Sequence, residues 1–362
     1  MAAPYLLTLP PTRLEGISRT AALLLMLVAL VAIVTLLVAA AHQVPVPKAT
    51  TTGRSDLVMY GHIVDAMRAG KGYYPAAHAE LLKGSYGTRS VFNWRLPALP
   101  WLVSLVPFTS IANALLDVAA AAGLALTFRT LEVSEGRATA TLAVAFAVIS
   151  IVFVAAPNAV LFADITAGAL IFLSAAAYGS RLPWLGFAAA LLALFCRELT
   201  APYVVVCAFL AWHERRRWEI AAWIVGLVAF AAYFAWHYAE VQAQLGPADG
   251  AYPSGWLQFG GLTFVLSTAA FNGLLALAPH WPSAIVLPLA VVGLIAWPGI
   301  EGRRVAATVA AYLVLFLFVG KPFNDYWGAL YTPLLMLGLA FAPAAFRDLI
   351  AAFRAPRLAT AA

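Results

Sequence analysis

From Thr20 to Ala41 the chain carries no charged side chain. About 20 such residues span the hydrocarbon of a bilayer as a helix, and apolar runs of comparable character recur along the 362 residues. The composition extends the point. The chain is 63% hydrophobic and 10% charged, against roughly 25% charged in soluble domains. The runs are Ala/Leu/Val blocks without the apolar–polar alternation of barrel strands, so the expected fold is all-α: a polytopic transmembrane bundle of about ten helices forming one membrane domain over 1–362. The first run is too long for a signal-peptide core and is read as a retained span.

The expected spans are Thr20–Ala41, Ile111–Phe128, Ala138–Ala156, Ala159–Tyr178, Trp184–Phe195, Leu199–Trp212, Ile220–Tyr238, Ser283–Trp297, Val305–Val319 and Trp327–Phe341. A Pro-rich interfacial segment, Leu96–Phe108, precedes the second, and Leu262–Ala278 is expected to be re-entrant or interfacial. Alternating these spans sorts the basic residues. One set of loops holds Arg13, Arg19, Arg129, Arg137, Arg181, Arg215, Arg216, Arg217, Arg303, Arg304, Arg347, Arg354 and Arg357. Outside the long first loop, the other set holds only Arg197 and Lys321. The positive-inside bias therefore predicts a cytoplasmic N-terminus and an outer first loop over 42–95. The net charge of +6 reports this topology and gives no reason to expect a nucleic-acid partner. Cys196 and Cys207 lie in apolar sequence and are expected as free buried thiols.

The remaining polar residues collect on the outer side. From Asp56 to Ala69 the apolar residues Leu57, Ile63, Val64 and Met67 recur at helical spacing, which predicts an amphipathic surface helix. Ser55 is placed to cap it, Asp56 falls in its first turn, and Tyr60 lies one turn on along the same face. Asp56 then either complements the helix dipole or serves as a general base at the interface. Arg197–Glu198 interrupts apolar sequence, as a structural ion pair or as a phosphate site in which the planar guanidinium grips the anion and Glu198 orients it. Lys321-Pro322-Phe323-Asn324-Asp325-Tyr326 reads as an interfacial anchor or a second part of such a site. Asp164, early in the fourth span, predicts a cavity or a partner such as Arg197; Asp117 in the second span is ambiguous. His62 and His78 match no metal spacing. The chain has no Walker loop, dinucleotide glycine motif or cysteine metal pattern, so no nucleotide cofactor is expected.

Several of these segments together resemble the GT-C superfamily of membrane glycosyltransferases, in particular its bacterial polyprenyl-phosphate-mannose-using members. The residues that carry the resemblance are Asp56…Tyr60…Ala66…Gly70…Gly72-Tyr73-Tyr74-Pro75, Phe92-Asn93-Trp94-Arg95-Leu96-Pro97, Arg197-Glu198, and Asp325-Tyr326…Tyr331…Pro333. The resemblance implies a GT-C-like bundle whose first outer loop carries interfacial helices. It also implies transfer of a sugar from a polyprenyl-phosphate donor to a glycan or lipid acceptor hydroxyl, with inversion. The site would lie on the periplasmic face of a bacterial inner membrane, with Asp56 as base. Arg54, Arg95, Arg197 and Lys321 are the candidates for the donor phosphate, with Glu198 beside Arg197. Tyr60, His62, Tyr74, Asn93, Asp164, Asp325 and Tyr326 complete the expected substrate-binding set. Many members carry a second acid early in the next outer loop. Here that loop is only Pro157-Asn158, with Asp164 the nearest acid, so participation of a divalent metal stays open. A transporter or flippase of a lipid-linked or small solute, and a non-catalytic subunit of an envelope assembly, are the competing expectations.

Overall fold

The computed structural model describes residues 9–42, 56–251 and 255–354. Arg54, Ser55 and Arg357 lie outside the described residues. The architecture is helical, and the one strand-like feature among the described residues is an isolated antiparallel bridge between Leu257 and Val319.

Helix α1 (Arg19–Ala41) starts at Ser18, whose hydroxyl accepts from the Ala21 N–H at 3.2 Å, satisfying one of the donors that a helix start leaves unpaired. The long loop then folds into α2 (Asp56–Arg68), α3 (Tyr73–Lys83) and α4 (Ala98–Ser104). The buried stripe of α2 is Met59, Ile63 and Val64; Leu57 is only partly buried, one position off the expected face. At its end, Arg68 reaches across to the Val103 and Val106 carbonyls at 3.1 Å and the Thr109 hydroxyl at 3.2 Å. A cation there satisfies a carbonyl in the last turn of α4 and one in the turn after it and fastens the loop helices to the following helix.

The bundle continues with α5 (Thr109–Glu135), α6 (Arg137–Ile151), α7 (Ala163–Gly179), α8 (Pro183–Cys196), α9 (Ala201–His213) and α10 (Arg217–Gln244). It closes with α11 (Gly261–Ala269), α12 (Trp281–Ala296), α13 (Gly299–Phe318), α14 (Thr332–Leu337) and α15 (Ala342–Arg354). Among the described residues, four helices are long and apolar enough to cross a membrane: α1, α5, α6 with its 3₁₀ extension, and α10. A fifth follows if the last span is counted as the pair Thr332–Ala340 and Ala342–Arg354, bent by 50°. The expected spans at α7, α8, α9 and α12 are apolar helices of 10–17 residues, and α13 opens with Glu301, Arg303 and Arg304. Along α1, Leu24, Leu27, Val28, Leu30 and Val31 are each more than half exposed, an apolar face that a water-soluble monomer does not carry and an integral membrane protein does.

α7 is the axis of the fold. Nearly all of its residues from Ala163 to Tyr178 are buried, as expected of a helix that is apolar all round. Asp164 and Gly168 share a face one turn apart. A Cβ at Gly168 would lie 2.1 Å from the Ala329 carbonyl oxygen, so only glycine lets the 3₁₀ turn Asp325–Leu330 come this close. Replacing Gly168 by Ala is expected to lower stability by about 1–3 kcal/mol through overpacking, read as a lower unfolding midpoint in detergent.

The other end of α7 is held by a second polar cluster. The Tyr178 hydroxyl donates to Glu219 at 2.9 Å, and Glu219 pairs with Arg216 at 2.6 Å. Arg304, expected in a loop, is instead buried in α13: its guanidinium lies 3.8 Å from the Tyr178 ring centroid and donates to the Cys207 Sγ at 3.1 Å. Both cysteines are free and buried.

Candidate functional site

The break between α8 and α9 falls where the sequence turns polar. Arg197 takes an extended backbone conformation and Glu198–Thr200 form a 3₁₀ turn, so α8 and α9 make a hairpin whose bend meets the first turn of α7. There the Arg197 Nε donates to the Asp164 Oδ1 at 2.7 Å, and its Nη1 donates to the Glu198 Oε1 at 2.7 Å. Asp164 is fully buried and Arg197 is 2% exposed. Ions removed from water to this degree persist only when paired. The second oxygen of Asp164 accepts no hydrogen bond but lies 3.8 Å from the Arg95 Nη2.

Arg95 links this core to the first loop. Its Nε donates to the Tyr60 hydroxyl at 2.9 Å, and its Nη2 faces the Tyr326 hydroxyl at 3.5 Å. The Tyr73 hydroxyl donates to the Arg95 carbonyl. Burial alone would weaken the Arg95 charge, but Tyr60, Tyr326, Asp164 and Glu198 around it raise its pKa well above the usual guanidinium value. Burial also pushes the Tyr60 hydroxyl well up, with the Asp56 charge adding to it and Arg95 opposing. Tyr326 is oriented by Asn324, whose amide donates to its hydroxyl at 2.9 Å while the amide oxygen accepts from the Lys321 N–H at 3.0 Å.

Aromatic rings frame the cluster. The Arg197 guanidinium sits 5.6 Å from the Trp327 ring centroid, Trp327 stacks on Trp256 at 5.7 Å, and the Lys321 Nζ lies 4.9 Å from the Trp256 ring. The two stacked indoles are thus flanked by a cation at each end, each pair of the kind cation–π attraction favours. Burial lowers the Lys321 pKa. Trp256 is held by pairing of its segment with the end of α13: the Gly320 N–H donates to the Trp256 carbonyl at 3.2 Å and the Gln258 N–H to the Phe318 carbonyl at 3.0 Å.

Beneath the indoles lies an open cleft of about 700 Å³ whose lining includes Phe92, Arg197, Glu198, Leu199, Trp256 and Trp327. Phe92, Glu198 and Leu199 also head a second, almost wholly apolar groove of about 1070 Å³, which runs between α9, α10 and α13 past Val205, Phe230, Phe234 and Leu315. The two open hollows share Phe92, Glu198 and Leu199 and so adjoin, with Glu198 at their junction and its partner Arg197 on the cleft side.

The structure therefore brings together Tyr60, Arg95, Asp164, Arg197, Glu198 and Tyr326, with Lys321 beyond the indoles. Asp56 stands at the far end of the same polar strip, one turn before Tyr60, and accepts a hydrogen bond from Tyr86. Other expected residues hold the loop instead. His62 pairs with Glu80 at 3.2 Å, and Glu80 also takes Lys83 at 2.8 Å. Tyr74 meets the buried His237 at 3.0 Å, Asn93 donates to the Gly87 carbonyl, and the exposed Asp325 accepts from the Tyr326 N–H at 2.9 Å. Trp256 was not legible as a site residue, because a lone indole in a loop carries no spacing signal. Among the described residues no three His, Cys, Asp or Glu side chains converge to hold a metal.

Asp249 was also missed. Burial would raise its carboxyl, but the Thr88 side chain beside it and hydrogen bonds from the Gly246 N–H at 2.6 Å and His78 at 2.8 Å outweigh this and hold it at about 2, below its usual 3.8. Because the folded value is depressed, the contact stabilises fully above about pH 3.8 and is lost as pH falls through 2. Amide protection around His78 and Thr88 is expected to fall across that window, with Asp249→Asn showing the loss already at neutral pH in hydrogen-exchange measurements.

Compared with known protein families, curated proteins and solved structures, the chain matches none.

Proposed function

We propose that the chain is a membrane glycosyltransferase that moves a sugar from a polyprenyl-phosphate donor to an acceptor hydroxyl. The observation that carries this reading is the apolar groove that ends at Glu198, beside the cleft lined by Arg197. A polyprenyl tail needs a long hydrocarbon-lined channel, and its phosphate needs a cation at the channel mouth, for which a guanidinium fork is the best match. The bundle counts about ten spans when the short apolar helices are included. It sits in a bacterial inner membrane with its N-terminus cytoplasmic and the polar strip on the periplasmic face, where nucleotide sugars are absent and lipid-linked donors serve.

In the reaction the acceptor oxygen bonds to the anomeric carbon as the bond from that carbon to the phosphate oxygen breaks. The phosphate leaves with the electron pair, and the acceptor proton passes to Asp56. One displacement inverts the centre. Arg197 stabilises the charge that grows on the departing phosphate, and Tyr60, Arg95 and Tyr326 line the strip between phosphate and base, offering hydrogen-bonding groups to sugar hydroxyls.

The test is a transfer assay: purified protein, pooled radiolabelled polyprenyl-phosphate sugars and envelope extract. Label moving from the lipid to an acceptor fraction is the expected result. No transfer, together with movement of labelled lipid between the leaflets of proteoliposomes, would overturn it in favour of a flippase.

A further inference from the structure

Arg197 is not an open cation. Asp164 holds its Nε and Glu198 its Nη1, each at 2.7 Å, and Trp327 lies against the guanidinium. The two carboxylates differ in kind. Asp164 has no exposure, is anchored in the first turn of α7 and is shared with Arg95 at 3.8 Å. The Glu198 side chain is 16% exposed, rides on a 3₁₀ turn, and lines both the cleft and the groove. With Asp164, Glu198, Arg95 and Arg197 charged, the cluster sums to zero: two negative groups against two positive ones. A phosphodiester brings a further negative charge to the edge of Arg197 that Glu198 already covers, and like charges at that range repel strongly when desolvated.

We propose that Glu198 is a displaceable cover on Arg197: the anionic head of the ligand takes the Nη1 side of the guanidinium only as Glu198 swings off it toward the cleft, while Asp164 stays on Nε as the fixed anchor. The proposal rests on the polyprenyl-phosphate reading above and adds a basis for selectivity. A small inorganic anion gains nothing that offsets displacing Glu198. An anion with a long hydrocarbon tail does, because the tail is buried in the adjoining groove. The empty site is thereby closed to the free phosphate of the surroundings and open to lipid-linked phosphate.

The experiment is equilibrium binding to the purified full chain in detergent, with three probes: undecaprenyl methyl phosphate, undecaprenol and inorganic phosphate. Wild type is compared with Glu198→Gln, which keeps an acceptor oxygen for Arg197 without the charge, and with Glu198→Ala. Wild type is expected to bind the phosphodiester and neither other probe. Both variants are expected to bind it about tenfold more tightly or better and to gain detectable binding of inorganic phosphate. Unchanged or weaker phosphodiester binding by monodisperse variants overturns the cover and leaves the donor reading standing. Failure of both variants to give monodisperse protein also overturns it, since the carboxylate would then be a structural necessity. If wild type binds undecaprenol as well as the phosphodiester, or binds neither, the donor reading falls and the cover with it.

Discussion

Asp56→Asn is expected to lower the rate of sugar transfer by about 10²–10⁴-fold, the range a positioned general base contributes, while leaving binding of the lipid donor unchanged. The amide keeps the shape of the carboxylate and an acceptor for the Tyr86 hydroxyl, so the first turn of α2 keeps its place. On the proposed reading it removes the group that takes the acceptor proton. Single-turnover transfer measured beside donor binding separates the two effects. Loss of both together would mark Asp56 as an architectural acid at a helix start, and full activity would move the base elsewhere on the strip.

Arg197→Ala is expected to be the most destabilising single change at the site, at about 3–5 kcal/mol, because it leaves the fully buried Asp164 without its cation. The cost is in the orphaned Asp164 carboxylate rather than in the lost pair. Arg197→Gln combined with Asp164→Asn should therefore be more stable than either single variant, a coupling that a double-mutant cycle on unfolding midpoints measures directly. Additive losses would mean that the pair is exposed enough to water for each charge to be solvated alone.

The polar groups most legible in the sequence were those that break an apolar pattern. Arg197–Glu198 stands out because ionisable residues in an apolar run need a reason, and the expected partnership of Asp164 with Arg197 is present at 2.7 Å. Two of the loop segments were legible for a similar reason: a helical period in α2 and a proline-rich stretch at α4 mark them out, whereas α3 carried no such signal. What the sequence concealed depends on the third dimension. Trp256 reaches Trp327 from a connection with no periodicity, and Arg304 reads as a loop cation until α13 is seen to begin before it. His62, Tyr74 and Asn93 share a loop with Asp56, but proximity in sequence did not separate residues that build the loop from those that face the cleft. The number of spans suffered from the same limit: a run of apolar residues records what must be buried, not whether lipid or protein buries it, and α7 is wrapped by protein nearly all round.

That wrapped helix is pinned at two depths. Asp164 at its start is tied through Arg197 to the α8–α9 bend, and Tyr178 at its end is tied through Glu219 and Arg304 to α10 and α13. Sliding α7 along its own axis by one turn, about 5.4 Å, would break both sets of contacts at once. It is therefore a fixed post of the fold rather than a sliding one. On the proposed reading, a long-tailed lipid would come to the groove between α9, α10 and α13 past this stationary post, sideways from the bilayer rather than downward from the water.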